Sequence, residues 1–590
     1  MDIALSSATR SARKRVPSLT LVIACLAAYS PAVAADFFVN NLSQFNSAVS
    51  SANPGDTITL ANGVWTNTHL DFATNGTSGN PVTLRAETPG SVVFNGNSRL
   101  SISGDWLVVD GLKFQGGSLS SDQHVIEFRG SNGNATNSRL TNTAIIDYNP
   151  PSTSTRYFWV SIYGNHNRVD HNYFENQNHS GVTVVDWVGK NGNNSTGNNR
   201  IDSNYFFNRP SGGGANGWET IRIGDSANSM THTFDIIENN LFHQTDGEIE
   251  IISNKTGSNI YRNNTFLESA GTLTLRHGNN ALVEGNFFLG NGKSQTGGIR
   301  VIGEDHTVIN NYLAGLDGRN GGAISISAGV PNSALNEYFQ VKNAVIAFNT
   351  IVDVSDAAIK LDDGLGSSGR TLLAENVTLA NNLIRNFAST SDPIFQGNEG
   401  VGWTWEGNIA WGKPLGTGAG NPGVLNVDPI IALAADGLWR PQSGSPAIDG
   451  AVGNYTGILT EDVDGQTRIG TYDIGADEVS AAQILRRPLM PGDVGPLWMF
   501  PQQQLDGDLD GDGFVGINDL NIVLGNWNSN VTAGSLADGD PSGDGFVGIE
   551  DLNLILGNWN AGVPPTEGQS IPEPASLMLL GGLSVLMRNL

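Results

Sequence analysis

The sequence predicts an all-β fold, a right-handed parallel β-helix, followed by a small α-helical module. Three observations carry this. Asn followed by two apolar, aromatic or β-branched residues recurs through the middle of the chain. Gly is abundant, 74 of 590 residues, and Asn is dense, which suits short strands joined by tight turns. Near the C-terminus a frame of alternating acidic residues ending in Gly recurs after 32 residues.

The long repeat defines the main domain. Asn172-Tyr173-Phe174 is followed by Asn204-Tyr205-Phe206, Asn240-Leu241-Phe242, Asn264-Thr265-Phe266 and Asn286-Phe287-Phe288. Asn311-Tyr312-Leu313, Asn349-Thr350-Ile351 and Asn382-Leu383-Ile384 continue it, with steps of 32, 36, 24, 22, 25, 38 and 33 residues. A minimum of 22–25 residues with variable additions describes a solenoid whose longer coils carry loops. β-branched and aromatic residues between Gly and Asn turns make the coils strands rather than helices. Leucine-rich and helical repeats would need a Leu periodicity that is absent. Inward side chains of each coil then stack on the next. An Asn at one turn tolerates the left-handed conformation and can hydrogen-bond its counterpart in the next coil. The repeat starts near Phe37 and fades after Glu478, which places the domain at residues 35–480.

Both ends read as address labels. Arg10, Arg13, Lys14 and Arg15 precede an apolar stretch at 19–28, and Ala32-Val33-Ala34 supplies small residues at a cleavage site. Residues 1–34 are therefore expected to be an export signal. At the other end Ile571-Pro572-Glu573-Pro574 precedes an apolar run at 575–587 and then Arg588. The run is short for a stable membrane span. Segment 571–590 resembles the PEP-CTERM sorting signal of Gram-negative exopolymer-associated bacteria. That implies export across the inner membrane, transient membrane association, and an extracellular or envelope location.

Charge bounds the partners. There are 31 basic and 57 acidic residues, a net charge of −26. Non-specific nucleic-acid binding relies on excess Lys and Arg and is not expected. A polyanionic substrate would need a local basic patch. The single cysteine, Cys25, lies in the export signal, so stability rests on core burial and metal ions rather than disulfides.

The candidate site comes from phase along the repeat. Counting from Asn204, Asn216 is at +12; from Asn240, Glu248 is at +8, Glu250 at +10 and Lys255 at +15. From Asn264, Arg276 is at +12 and His277 at +13, and from Asn286, Arg300 is at +14. Any one of these would read as part of a solvated charged face. Four consecutive coils in one phase window read as a patch. Glu248 and Glu250 alternate with Ile249, which puts both carboxylates on one strand face. With the Asn216 amide oxygen they make a hard-cation site suited to Ca²⁺. Lys255, Arg276, His277 and Arg300 supply the positive charge a polyanion needs.

The segment Glu248-Ile-Glu-Ile-Ile-Ser-Asn-Lys255 resembles the core motif of polysaccharide lyase family 6, which includes chondroitinase B and alginate lyases. Arg276-His277-Gly278 follows the lysine by 21 residues, Asn216-Gly217 lies upstream, and the resemblance spans roughly residues 36–480. It implies a Ca²⁺-dependent β-elimination on a uronate-containing acidic polysaccharide. Asn216, Glu248 and Glu250 would hold Ca²⁺, Lys255 would remove the C5 proton, and Arg276 would assist departure of O4. Arg222, His277, Arg300 and Tyr338 match substrate-contacting positions. Family frequency favours alginate, a poly(mannuronate/guluronate), over chondroitin or dermatan sulfate. A pectate lyase and a non-catalytic β-helix adhesin or carbohydrate-binding scaffold are the alternatives.

Residues 481–504 carry Pro488, Pro491, Pro496 and Pro501 and read as a linker. Beyond it, Asp508, Asp510, Asp512 and Gly513 lead to Asp519, and Asp540, Ser542, Asp544 and Gly545 lead to Asp551. These are EF-hand-like Ca²⁺ loops, acidic at positions 1, 3, 5 and 12, apart from one serine, with Gly at the sharp turn. Each precedes an amphipathic segment, at 520–527 and 552–559. The pair at 505–561 resembles a dockerin type I repeat, which implies a cohesin-like protein partner.

Overall fold

The computed structural model describes residues 34–188, 197–500, 505–511, 513–559 and 561. Residues 1–33 of the expected export signal at 1–34, the expected sorting segment at 571–590 and Asp512 lie outside these described residues.

The chain winds into a parallel β-helix. Successive coils add strands to three sheets of 14 strands each among the described residues. Sheet 1 runs from Asp36–Val39 to Thr404–Glu406, and sheet 3 from Gly63–Thr66 to Val424–Leu425. Sheet 2 ends at Phe395–Gln396.

The asparagine ladder is the seam of the solenoid. Asn264 Oδ1 accepts both the backbone N–H and the side-chain amide of Asn240, each at 3.0 Å, and Asn264 in turn donates to Asn286 Oδ1 at 3.0 Å. The same bond joins Asn172 to Asn204 at 3.0 Å, and the ladder runs on to Asn408. Only an amide can donate and accept in one plane at every rung. The left-handed turn, however, falls one residue earlier than expected. Ser203 (φ 54), Asn239 (φ 53), Asn263 (φ 54) and Phe348 (φ 53) take it, while the ladder residues keep ordinary φ. That turn is what aims the next side chain into the seam. Inside, Phe174, Phe206, Phe242, Phe266 and Phe288 stack at 5.1, 4.9, 4.7 and 4.5 Å between centroids.

A helix the sequence reading did not anticipate, α1 (Leu42–Ser51), lies on the first coil and buries Phe45, Ala48 and Val49. Asn41 caps it, accepting from Gln44 N at 3.0 Å.

Two boundaries need correction. The coils end at Val424–Leu425 rather than near Glu478. Residues 426–480 form an outer layer, in which Leu438, Val463 and Ala476 pack on Phe287 and Tyr312 of sheet 3. The segment expected to be a linker is docked through residue 500. Val494, Trp498 and Phe500 cover Tyr173, Tyr205 and Leu241, and Trp498 Nε1 donates to the Asn142 carbonyl at 2.8 Å. Its prolines bar it from a strand ladder, but its apolar side chains still cover outward-facing aromatic residues.

The C-terminal module holds α2 (Ile517–Gly525) and α3 (Ile549–Gly557) around Val515, Val523, Val547 and Ile555.

Candidate functional site

The site lies on the outer face of sheet 2. Ile221 and Ile223 point inward and Arg222 outward, and rung pairing carries this alternation along the sheet. Arg222 aligns with Ser253, Thr274, Arg300, Ser325 and Lys360 in one outward column. Lys255, at the end of its strand, pairs with His277. Phase counted from the asparagines therefore locates the face but not the rung. Arg222 and Arg300 share a column although their phases differ, because the loops between sheets 3 and 2 differ in length.

Three carboxylates meet at the head of this face. Glu219, Glu248 and Glu250 each place an oxygen within 4.8 Å of the others. Glu219 was not anticipated from the sequence. It lies 15 residues after Asn204, as Lys255 lies 15 after Asn240, which is the signal that could have found it. Glu248 sits in a bend before the strand that starts at Glu250, not on the strand face expected for it. Its carboxylate reaches the cluster by accepting from Trp218 N at 3.3 Å. Asn216 is exposed on the loop two residues before Trp218. Burial, then the charges of Glu219 and Glu250, push the Glu248 carboxyl up to about 8. Glu219 Oε2 is buried with no hydrogen-bond partner.

This donor set fits a hard cation. Ligands at about 2.3–2.6 Å from one ion lie within about 5 Å of each other, and the carboxylate oxygens meet that limit. An orphaned buried carboxylate oxygen is costly unless a proton or cation faces it.

Cations flank the cluster. Lys255 Nζ is 3.7 Å from Glu219, and Arg276 Nε is 3.6 Å from Glu250. Burial pulls the Arg276 guanidinium below its ordinary value. Its Nη1 lies 2.9 Å from His277 Nε2 and can only donate, so the ring hydrogen of His277 is on Nδ1. Burial, then the charges of Arg276 and Lys255, push His277 down to about 3, so the ring is neutral at neutral pH. Nδ1 is buried without a partner and is a donor in waiting.

Two walls complete the face. On one side Arg222 lies over the Trp187 ring, 4.7 Å from its centroid. On the other, the loop at 328–343 bends back so that the carbonyls of Glu337 and Asn336 accept from Arg276 at 2.6 and 3.2 Å. Tyr338 then lies beneath the guanidiniums of Arg276 and Arg300, at 4.3 and 5.5 Å. The structure thus gathers Lys255, Arg276, His277, Glu248, Glu250, Arg300 and Tyr338, with Arg222 along the column.

The two C-terminal loops form separate acidic nests. Oxygens of Asp508, Asp510 and Asp519 lie within 4.8 Å of one another, as do those of Asp540, Asp544 and Asp551. Ser542 donates to Asp540 at 3.0 Å. Asp519 and Asp551 each cap their helix through the Gly516 and Gly548 amides at 2.7 Å. Both sets fit Ca²⁺ by donor type.

Fold and site together define a β-helix protein with a cation-ready, basic cleft on one sheet. The Chondroitinase B family model matches residues 39–443, and the chain belongs to that family. Among solved structures, the PL6 family alginate lyase AlyGC is 36% identical, with 80% of this chain and 60% of that one covered and a TM-score of 0.68. A mannuronic acid specific family 6 lyase from human gut microbiota is 28% identical, covering 67% and 91% with a TM-score of 0.58. The PL6 family polysaccharide lyase from Pseudopedobacter saltans is 27% identical, covering 78% and 99% with a TM-score of 0.57. This chain spans about 60% of the length of AlyGC. No curated protein matches it.

Proposed function

We propose that the protein is an exported, Ca²⁺-dependent lyase that cleaves a uronate polysaccharide, alginate foremost, by β-elimination. The observation that carries this is that Lys255 and Arg276 flank one carboxylate cluster, at 3.7 Å from Glu219 and 3.6 Å from Glu250, on adjacent strands of one sheet. Glu219, Glu248 and Glu250, with Asn216 from the neighbouring loop, would hold the cation. When bound, it supplies positive charge against the uronate carboxylate and so acidifies the C5 proton.

Lys255 takes that proton. The C5 electron pair forms the C4=C5 bond, the C4–O4 bond breaks, and O4 leaves with the bonding pair. Arg276 faces the developing oxyanion. As a guanidinium it stabilises charge rather than donating its proton, and water supplies the proton to O4. His277, neutral with its free N–H at Nδ1, offers a hydrogen bond to the substrate. Arg222, Arg300 and Tyr338 orient the chain along the column.

The C-terminal loops would bind two further Ca²⁺ ions and present α2 and α3 to a cohesin-like partner. The terminal segments would direct export and envelope sorting in a Gram-negative cell. AlyGC, named as an alginate lyase, supports the substrate preference.

The test is incubation with alginate, dermatan sulfate and pectate in Ca²⁺, following ultraviolet absorbance of the unsaturated product. Alginate is expected to give the fastest rise. No rise on any of the three would refute the lyase reading and leave a carbohydrate-binding scaffold.

A further inference from the structure

A second ladder runs five residues before the first, at the turn from sheet 2 to sheet 1. Asn167 Oδ1 accepts from Ser138 N at 3.0 Å, and Asn199 Oδ1 from Asn167 N at 2.9 Å. Asp235 Oδ1 then accepts from Asn199 N, and Asn259 Oδ1 from Asp235 N, both at 2.8 Å. At each asparagine rung the other side-chain atom is an N–H donor. Asn167 Nδ2 donates to the Ala135 carbonyl at 2.9 Å, Asn199 Nδ2 to Asp186 Oδ2 at 2.8 Å, and Asn259 Nδ2 to Asn254 Oδ1 at 2.7 Å. Asp235 breaks the pattern: an oxygen stands where those rungs carry an N–H.

That oxygen meets a second carboxyl. Asp186, the last residue of strand Val184–Asp186, is within hydrogen-bond reach of Asp235, and the two are 0% and 1% exposed. Asp186 Oδ1 and Asp235 Oδ2 find no donor among the described residues. The nearby Thr233 hydroxyl gives its hydrogen to Asn259 Oδ1 at 2.8 Å. No cation balances the pair. Arg200 and Arg222, on the adjoining strands, turn outward to Glu238 and to the Trp187 ring. His232 sits at an exposed turn 2.7 Å from Ser258 Oγ, Asp225 caps the turn at 226–228, and the Tyr261 hydroxyl donates to Asn254 Oδ1 at 2.7 Å. Two bare carboxylates in contact inside the coil would lose their water and repel each other. Burial pushes both carboxyls up, and the Asp186 charge pushes Asp235 further.

We infer that Asp235 stands in the second ladder as a neutral carboxyl and shares its proton with Asp186, so that one buried proton replaces the N–H of an asparagine rung. The strand ending at Asp186 leads into Trp187, whose ring carries Arg222, and the Asp186 carbonyl accepts from Gly224 N at 3.0 Å. The proton therefore closes the coil behind one wall of the cleft. The folded chain keeps a proton that an unfolded Asp loses near pH 3.9, so this contribution to stability is lost as pH rises from there. The pair is a pH-sensitive device in the fold, and it does not depend on the lyase reading.

The experiment compares the wild type with D235N, D186N and the double variant, in the full chain with Ca²⁺ present. Infrared difference spectra at pH 8 are expected to show a protonated carboxyl in the wild type that D235N lacks. D235N puts an asparagine back in the rung and has no proton to lose. Its folding equilibrium in denaturant should gain about tenfold on the wild type between pH 7 and pH 8. In D186N the new amide supplies the donor, Asp235 ionises, and the protonated band disappears as well. The double variant sets two NH₂ groups face to face and should be less stable than either single variant. Equal pH dependence in the wild type and D235N overturns the inference, and so does a double variant as stable as the singles. A cation held between two carboxylates would make wild-type stability rise with pH, and that result overturns it too. If D235N does not fold, D186N decides by the same spectrum: a protonated band unchanged from the wild type refutes the shared proton.

Discussion

Calcium binding to the carboxylate cluster should expel a proton. With Glu248 pushed up to about 8, the calcium-free protein at pH 7 holds that carboxyl roughly nine-tenths protonated. Coordination needs the carboxylate, so binding at pH 7 releases about 0.9 proton, and at pH 9 about 0.1. The apparent affinity then rises about tenfold from pH 7 to pH 9, worth about 1.4 kcal/mol. The sign on stability is opposite. The folded, calcium-free state keeps a proton that the unfolded chain loses near pH 4.5, so its stability falls as pH rises from there through about 8. Calcium should therefore raise the melting temperature more at pH 9 than at pH 6. The count comes from calorimetry at pH 7 in two buffers of different ionisation enthalpy, on the wild type and on E248Q. Subtraction removes the contribution of the C-terminal loops, which both proteins share. A wild-type release near zero, or one unchanged in E248Q, would refute the electrostatic account of the cluster.

Other outcomes follow from the same contacts. K255A should lower turnover by about 10²–10⁴-fold with circular dichroism and melting intact, since a positioned base contributes about that much. N264A should cost about 3–5 kcal/mol in denaturant unfolding. It strands the Asn240 backbone and side-chain N–H groups, and Asn264 is wholly buried. Chelating calcium should leave Asp508, Asp510 and Asp519 to repel one another and melt α2 and α3, each 9 residues long. Limited proteolysis of the full chain would then cut within 505–561 while the β-helix resists.

The ladder made the fold legible because a buried amide that both donates and accepts leaves no latitude in residue type. The site was legible where its residues sit within one strand and its end, as Glu250, Lys255, Arg276 and His277 do. It failed where a loop intervenes. Glu219 meets Glu248 and Glu250, but its count of 15 from its ladder asparagine matches Lys255 and not those two carboxylates, at 8 and 10. Arg370 reaches the Tyr338 ring, 4.4 Å from its centroid, from a loop beyond strand Ala357–Asp363, and nothing in local spacing links the two. The docked segment through residue 500 was missed for another reason. Proline content reports what a segment cannot do in a ladder and is silent on which apolar face it covers.

Composition hid one more distinction, which rung alignment exposes. On sheet 1 Arg139, Arg168 and Arg200 align with one another, and two residues along the strands Asp170, Asp202 and Glu238 form an aligned column of acids that the arginines reach diagonally. Arg139 pairs with Asp170 at 2.5 Å, Arg168 with Asp202 at 2.6 Å, and Arg200 and Arg262 with Glu238 at 2.6 and 2.5 Å. These charges neutralise one another, leaving nothing to attract a polyanion. On sheet 2 the column holding Arg222 and Arg300 has Ser and Thr between them; Arg300 pairs with Asp363 at 2.8 Å, whereas Arg222 lies over the Trp187 ring. The two faces draw on the same residue types, and the column of acids two residues along the sheet 1 strands is what makes that face a structural ion ladder. A polyanion of the kind proposed would need such local cations to approach a protein of net charge −26.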